Sequence, residues 1–246
     1  MKDNGVRKMK SKFLAVLIIA GYATVNGQSF EYPKIAGSKS SVQELLPLEW
    51  NMRDSVSGDL NGDSYPDLVL VLQYKDSVKV KKNVPVIGSE TVITQPRILL
   101  IVFKNPDTRL YDVKEQSNTF ILTDDNPNIE DPYQSVSITK GIINISFQLF
   151  SNFGSYSVTN TTYKFRFQNN QFVLIGADNY VISRSTLDFE ECSYNFLSAK
   201  WSLKKGNEEN NVKAKSSIYP LNIDGLKTFK TFMQPYSWEI RKNIFL

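Results

Sequence analysis

Asp59, Asn61, Asp63 and Asp67 put side-chain oxygens at positions 1, 3, 5 and 9 of one polar stretch, Gly58-Asp59-Leu60-Asn61-Gly62-Asp63-Ser64-Tyr65-Pro66-Asp67. Oxygens at alternate positions of a tight turn can converge on one point, and a hard cation such as calcium takes about six to eight of them. The main-chain carbonyl of Tyr65, at position 7, adds a further donor. The stretch is therefore expected to bind calcium as its cofactor through Asp59, Asn61, Asp63, Tyr65 and Asp67. A helix-flanked calcium loop also carries a bidentate Glu at position 12. That position is Leu70, inside the apolar run Leu68-Val69-Leu70-Val71-Leu72, so the loop is expected to lead into a buried strand. The same residue types also build metal-free Asx turns. Four oxygen-bearing side chains at loop spacing favour the ion.

Other chemistry is limited by composition. The chain has no His and one Cys, Cys192, which excludes a Ser-His-Asp triad, a Cys-His pair and an imidazole zinc site. One cysteine cannot form an internal disulfide, and Cys192 reads as a small strand residue. Two acidic clusters remain, Asp124-Asp125 with Glu130-Asp131, and Glu190-Glu191. Paired carboxylates beside aromatic rings are what a glycoside hydrolase needs, so a carbohydrate-active hydrolase is the alternative function. Asp124-Asp125-Asn126-Pro127-Asn128 nevertheless reads as a turn and the Glu pair as a strand end, so no residue is assigned as catalytic. No phosphate-binding glycine loop or nucleophile elbow is present.

Residues 58–72, with Asp-x-Asn-x-Asp-x-x-x-Asp followed by Leu-Val-Leu-Val, resemble the calcium loops of FG-GAP and VCBS-type repeats, the units of integrin α-chain propeller blades. The resemblance implies a loop that links two antiparallel strands, with an apolar strand after the last Asp. Ser64 stands where that family usually has Gly, and the motif occurs once.

The elements that must position this loop read as strands. Ile98-Leu99-Leu100-Ile101-Val102-Phe103 is as continuously apolar as Leu68 to Leu72, and such runs suit strands covered on both faces. Between them, Lys79, Lys81, Lys82, Pro85, Gly88 and Pro96 mark a loop or edge hairpin with a solvated lysine face. Trp50 and Met52 approach the loop as a short strand. Ile143, Ile145, Phe147 and Leu149 alternate with Asn144, Ser146 and Gln148, which predicts a half-buried strand. Tyr163 to Gln168 and Gln171 to Gly176 flank Asn169-Asn170, and two Asn residues suit a type I′ hairpin turn. A further strand is expected from Tyr194 through Leu203, and a polar linker or loop over 205–217. Ser40 as an N-cap, followed by Gln43 and Glu44, predicts one short helix that Pro47 ends. The aromatic tail after Ile218 is expected to pack back on the body.

The expected fold class is all-β, a mostly antiparallel meander of sandwich or propeller type with one short N-terminal helix. Basic residues before Phe13-Leu14-Ala15-Val16-Leu17-Ile18-Ile19-Ala20, with Val25 and Gly27 at a cleavable end, predict a signal peptide over 1–27. A single β-rich domain over 28–246 follows, periplasmic or secreted, with no stable membrane insertion after cleavage. The formal +4 charge of the chain lies in those first residues, five Lys/Arg against Asp3. The remainder is near neutral, which removes the case for nucleic acid. The partners left are a protein or a glycan, met by a non-catalytic binding or surface-interaction module.

Overall fold

The computed structural model describes residues 30–84, 88–150, 156–209 and 215–246. The signal-peptide reading of residues 1–27 therefore lies outside the described residues, as do residues 210–214 of the expected polar linker. Among the described residues no helix is long and apolar enough to cross a membrane.

The described residues form sixteen strands, in chain order β1 (Ser38–Lys39), β2 (Trp50–Gly58), β3 (Asp67–Tyr74), β4 (Val78–Val84), β5 (Gly88–Thr94), β6 (Arg97–Lys104), β7 (Tyr111–Ser117) and β8 (Tyr133–Thr139), then β9 (Ile142–Phe150), β10 (Ser157–Gln168), β11 (Gln171–Ser183), β12 (Asp188–Asn195), β13 (Lys200–Asn207), β14 (Lys215–Pro220), β15 (Glu239–Arg241) and β16 (Ile244–Phe245). Five of them make an antiparallel sheet in the order β1-β7-β6-β3-β2, and seven make a meander, β14-β13-β12-β11-β10-β9-β8. The all-β antiparallel expectation is met in its two-sheet form. A propeller needs several small sheets around one axis, and the described residues form two large sheets and two isolated hairpins instead.

The apolar runs explain the layering. β3 and β6 lie side by side in the interior of the five-stranded sheet, so both of their faces are covered. Val69, Val71, Leu99, Ile101 and Phe103 face the seven-stranded sheet, where they share a core with Ile143, Ile145, Phe147, Tyr163 and Phe165. Leu70, Leu72, Ile98, Leu100 and Val102 face the other way, against Ile35 and Leu45 of the N-terminal arm and Trp50 at the start of β2. The hairpin β4–β5 interrupts the sequence between these two central strands and pairs only within itself, as its lysines and flanking prolines predict. Val173 to Ala177 of β11, Tyr194 of β12 and Trp201 of β13 extend the common core to the far strands. The tail closes it, with Phe229 stacked on Phe165 at 4.0 Å and Leu246 fully buried.

Four local expectations change. The helix over 40–46 is a single 3-10 turn, Gln43–Leu45; Glu44 accepts hydrogen bonds from the Ser40 backbone and hydroxyl, and Pro47 leaves no room for a second turn. The strand expected from Tyr194 to Leu203 is two strands, β12 and β13, reversed at Phe196–Ala199, where Ala199 takes a positive φ of 49°. β2 is nine residues long, well beyond Trp50 and Met52. The 205–217 segment contributes to β13 and β14 on either side of the residues not described. The Asn169-Asn170 turn is as predicted, both residues left-handed (φ 51° and 60°) and Gln168 facing Gln171.

Candidate functional site

The polar loop is the connection between β2 and β3, two paired antiparallel strands whose last facing residues are Gly58 and Asp67. Three contacts fix it to the body. Leu60, the loop's one buried apolar residue, sits in the shared core. Gly58 lies against Ile138 so closely that a Cβ there would stand 2.7 Å from its Cγ2. Asp67 is fully buried, and its carboxylate accepts N–H bonds from Leu60 (2.9 Å) and from Lys104 at the end of β6 (2.9 Å). One side chain thus ties the start of the loop to the neighbouring strand.

Within the loop every carboxylate oxygen accepts a hydrogen bond. Asp59 takes the N–H groups of Gly62 (2.7 Å) and Ser64 (2.9 Å). Asp63 takes the N–H of Tyr65 (2.8 Å) and the amide of Asn61 (2.9 Å), while Asn61 accepts from the N–H of Asp63 (3.0 Å). These are Asx turns, and they satisfy the loop's backbone donors. Burial pushes the Asp67 carboxyl above its ordinary range; the two N–H bonds oppose that, and the nearby charges of Asp63 and Asp59 add to it. Among the described residues no Lys or Arg forms an ion pair with Asp59, Asp63 or Asp67.

Asp59, Asn61, Asp63, Tyr65 and Asp67 thus all lie on one turn or at its end, with the four side chains bonded to backbone N–H groups. No group of three or more His, Cys, Asp or Glu among the described residues is assembled as a ready-made metal cluster. The donor chemistry suits a hard cation, since all the side-chain donors are oxygens and each hydrogen-bonded carboxylate oxygen keeps a second lone pair. Magnesium, which demands near-octahedral geometry, suits a loop of this kind less well.

Both Gly62 (φ 85°) and Ser64 (φ 67°) are left-handed, so Gly62 does not relieve Ser64 of the strained conformation. Ser64→Gly removes a Cβ penalty of about 1–2 kcal/mol, offset in part by greater freedom of the unfolded chain. The expected result is a gain of about 0.5–1 kcal/mol in thermal or urea unfolding without calcium. A loss of stability would show that the Ser64 side chain does something the backbone geometry does not reveal.

The acidic clusters separate. Glu190 and Glu191 lie within β12, not at its end, and pair with Lys205 and Lys204 across the ladder to β13. Adjacent strand residues point to opposite faces, so this pair cannot flank one bond. Asp131 is held by two arginines: Arg97 donates to both its oxygens (2.8 and 2.6 Å) and Arg53 to one (2.7 Å). Asp124, Asp125 and Glu130 line a cleft of about 450 Å³. Cys192 is buried in β12, and burial pushes its thiol up, away from reactivity. Arg97 is the functional-looking residue that the sequence hid. Its charge opens an apolar strand, and its partner lies 34 residues away.

No family model matches the chain, and neither a curated protein nor a solved structure matches it.

Proposed function

We propose that the chain is an exported β domain that serves binding or surface interaction without catalysis, and that it holds one structural calcium ion at Asp59, Asn61, Asp63, the Tyr65 carbonyl and Asp67. The feature that supports this reading is the placement of three carboxylates, none in an ion pair with a described Lys or Arg, along the short turn between β2 and β3, where the charges of Asp63 and Asp59 act on Asp67. A divalent cation would supply the missing positive charge at that turn. The setting, a loop between paired antiparallel strands with an apolar strand after the last Asp, is the one that the FG-GAP and VCBS resemblance implies. Export rests on the composition of residues 1–27. A non-catalytic role is supported by the ion pairs that occupy Asp131, Glu190 and Glu191.

Calorimetric titration tests the site. Calcium is expected to bind with a Kd of about 10⁻⁴ to 10⁻³ M, the range of extracellular modules, and Asp63→Ala to abolish the heat. A wild-type protein that gives no more heat than Asp63→Ala would leave the loop a turn held by hydrogen bonds alone.

A further inference from the structure

The cleft at Asp124, Asp125 and Glu130 lies apart from the loop between β2 and β3 and is built from four separate parts of the chain, Leu149 of β9 being one. Tyr32 comes from the N-terminal arm, residues 118–132 from the irregular connection between β7 and β8, and Gln234, Pro235 and Tyr236 from the tail. These walls are fastened to one another. Gln116 bonds the arm on both sides, accepting from the N–H of Ile35 (2.9 Å) and donating to the carbonyl of Pro33 (2.8 Å). The Thr119 hydroxyl donates to the Met233 carbonyl at 2.7 Å, which ties the connection to the tail. Arg97 pins the connection at two points, donating to the Leu122 carbonyl (2.6 Å) and clamping Asp131. The Glu130 N–H donates to the Phe150 carbonyl at 3.1 Å, which seats the acidic rim against β9. The cleft is therefore formed before any ligand arrives, and its volume of about 450 Å³ lies in the range of small-molecule sites.

Its lining has a definite chemistry. Ile121, Leu122, Ile129, Leu149 and Pro235 supply an apolar floor, and Tyr32 and Tyr236 add two aromatic rings. Three carboxylates stand among the described lining residues, and no Lys or Arg is among them. No described Lys or Arg forms an ion pair with Asp124 or Glu130 either. An apolar, aromatic-walled pocket with the carboxylates of Asp124 and Glu130 at its rim selects against anions, which those two charges repel. It favours a cation whose body can desolvate against the floor, and aromatic faces add attraction for such a charge.

We propose that this cleft binds an organic cation with an apolar body, with its charge toward Asp124 and Glu130 and its body against Ile129, Leu149 and Tyr236. Two sources share that chemistry: an arginine or lysine side chain presented by a protein partner, and a free arylalkylamine. Asp125, whose carboxylate accepts from the Thr123 hydroxyl at 2.9 Å, stiffens the rim. The inference concerns a different part of the molecule from the calcium loop and does not depend on it.

Amide chemical-shift titration in the presence of chelator tests the cleft whether or not the loop binds calcium. The probes are phenethylammonium, its anionic counterpart 3-phenylpropanoate, and the capped peptide acetyl-Leu-Arg-Leu-amide. At least one cationic probe is expected to bind with a Kd of about 1 mM or tighter, shifting amides of residues 118–130 and 234–236. The anion is expected to bind at least about tenfold more weakly, and added salt to weaken the cation. Asp124→Asn with Glu130→Gln, both exposed positions whose replacement leaves the core intact, should weaken the cation about five- to tenfold. Tighter binding of the peptide points to a protein partner, and tighter binding of the amine to a small ligand. Equal binding of cation and anion, shifts centred elsewhere, an unaffected double variant, or no binding of either cation would overturn the proposal.

Discussion

Asp131→Ala is expected to cost about 3 kcal/mol, because it leaves the guanidinium of Arg97 charged and without its carboxylate. Arg97 is 2% exposed, so water cannot replace the lost partner. Two contacts soften the loss: Arg97 keeps its bonds to the Leu122 carbonyl and to Gln73, and Asp131 itself is about a third open to solvent. Those contacts place the expectation at the lower end of the range of about 3–5 kcal/mol for breaking a buried pair. Urea unfolding of wild type and variant gives the number, and a difference below about 1 kcal/mol would mean that the pair is as weak as a surface one.

The same pair carries a pH signature. Burial pushes the Asp131 carboxyl up, but hydrogen bonds and charge from Arg97, the Tyr133 N–H and the charge of Arg53 outweigh it and hold the group below its ordinary range. A carboxylate depressed in the folded state stabilises the fold above its unfolded pKa, and that contribution disappears as pH falls through the folded value. The stability gap between wild type and Asp131→Asn should therefore be constant from neutral pH down to about 5 and narrow below about 4. A gap that widened on acidification would contradict the assignment.

Phe120→Ala is expected to be at least as damaging, at about 3–5 kcal/mol. Phe120 is fully buried, and its ring meets those of Phe147, Tyr163, Phe165, Phe229 and Phe232 edge-on at 5.0–6.2 Å. Two of these rings come from the tail, so removing the central ring opens a cavity and detaches the segment that closes the core. Edge-to-face pairs add about 0.5–1.5 kcal/mol each beyond area burial, so the cost should exceed that of an isolated phenylalanine. Phe120→Leu, which keeps most of the volume, should cost less than about half as much. Equal effects of Ala and Leu would place the energy in ring geometry and not in the cavity.

The legible parts of this chain were those in which local pattern and tertiary environment agree. Alternation across Ile143, Ile145 and Phe147 gave β9, the Asn169-Asn170 pair gave the β10–β11 turn, and the two continuous apolar runs gave the central strands β3 and β6. The oxygen-bearing residues of the β2–β3 loop could be read as one group because their spacing is local. What sequence hid is non-local or carried by unusual backbone. Phe120 and Ile121 are adjacent and apolar, yet both are buried from an irregular connection and not from a strand. The β12–β13 reversal takes its positive φ at Ala199, where no glycine or asparagine stands; Asn195, which accepts the Ser198 N–H, is the turn's one polar mark. Glu190 and Glu191 looked like a strand end because the lysines that pair with them lie on the next strand. The role of Asp67 as a brace to Lys104 depends on β6 lying beside β3, which no spacing within the loop reveals.

Thermal unfolding in chelator and in about 1 mM calcium tests the central claim most directly. With a Kd near 10⁻⁴ M, mass action stabilises the native state by about 1.4 kcal/mol. For a domain of this size, that raises the Tm by about 3–5 °C. Asp63→Ala should unfold at one temperature in both conditions, and magnesium should reproduce little of the shift. Identical melting of the wild-type protein in chelator and in calcium would contradict the account, leaving Asp59, Asn61, Asp63 and Asp67 as a turn held by its own hydrogen bonds.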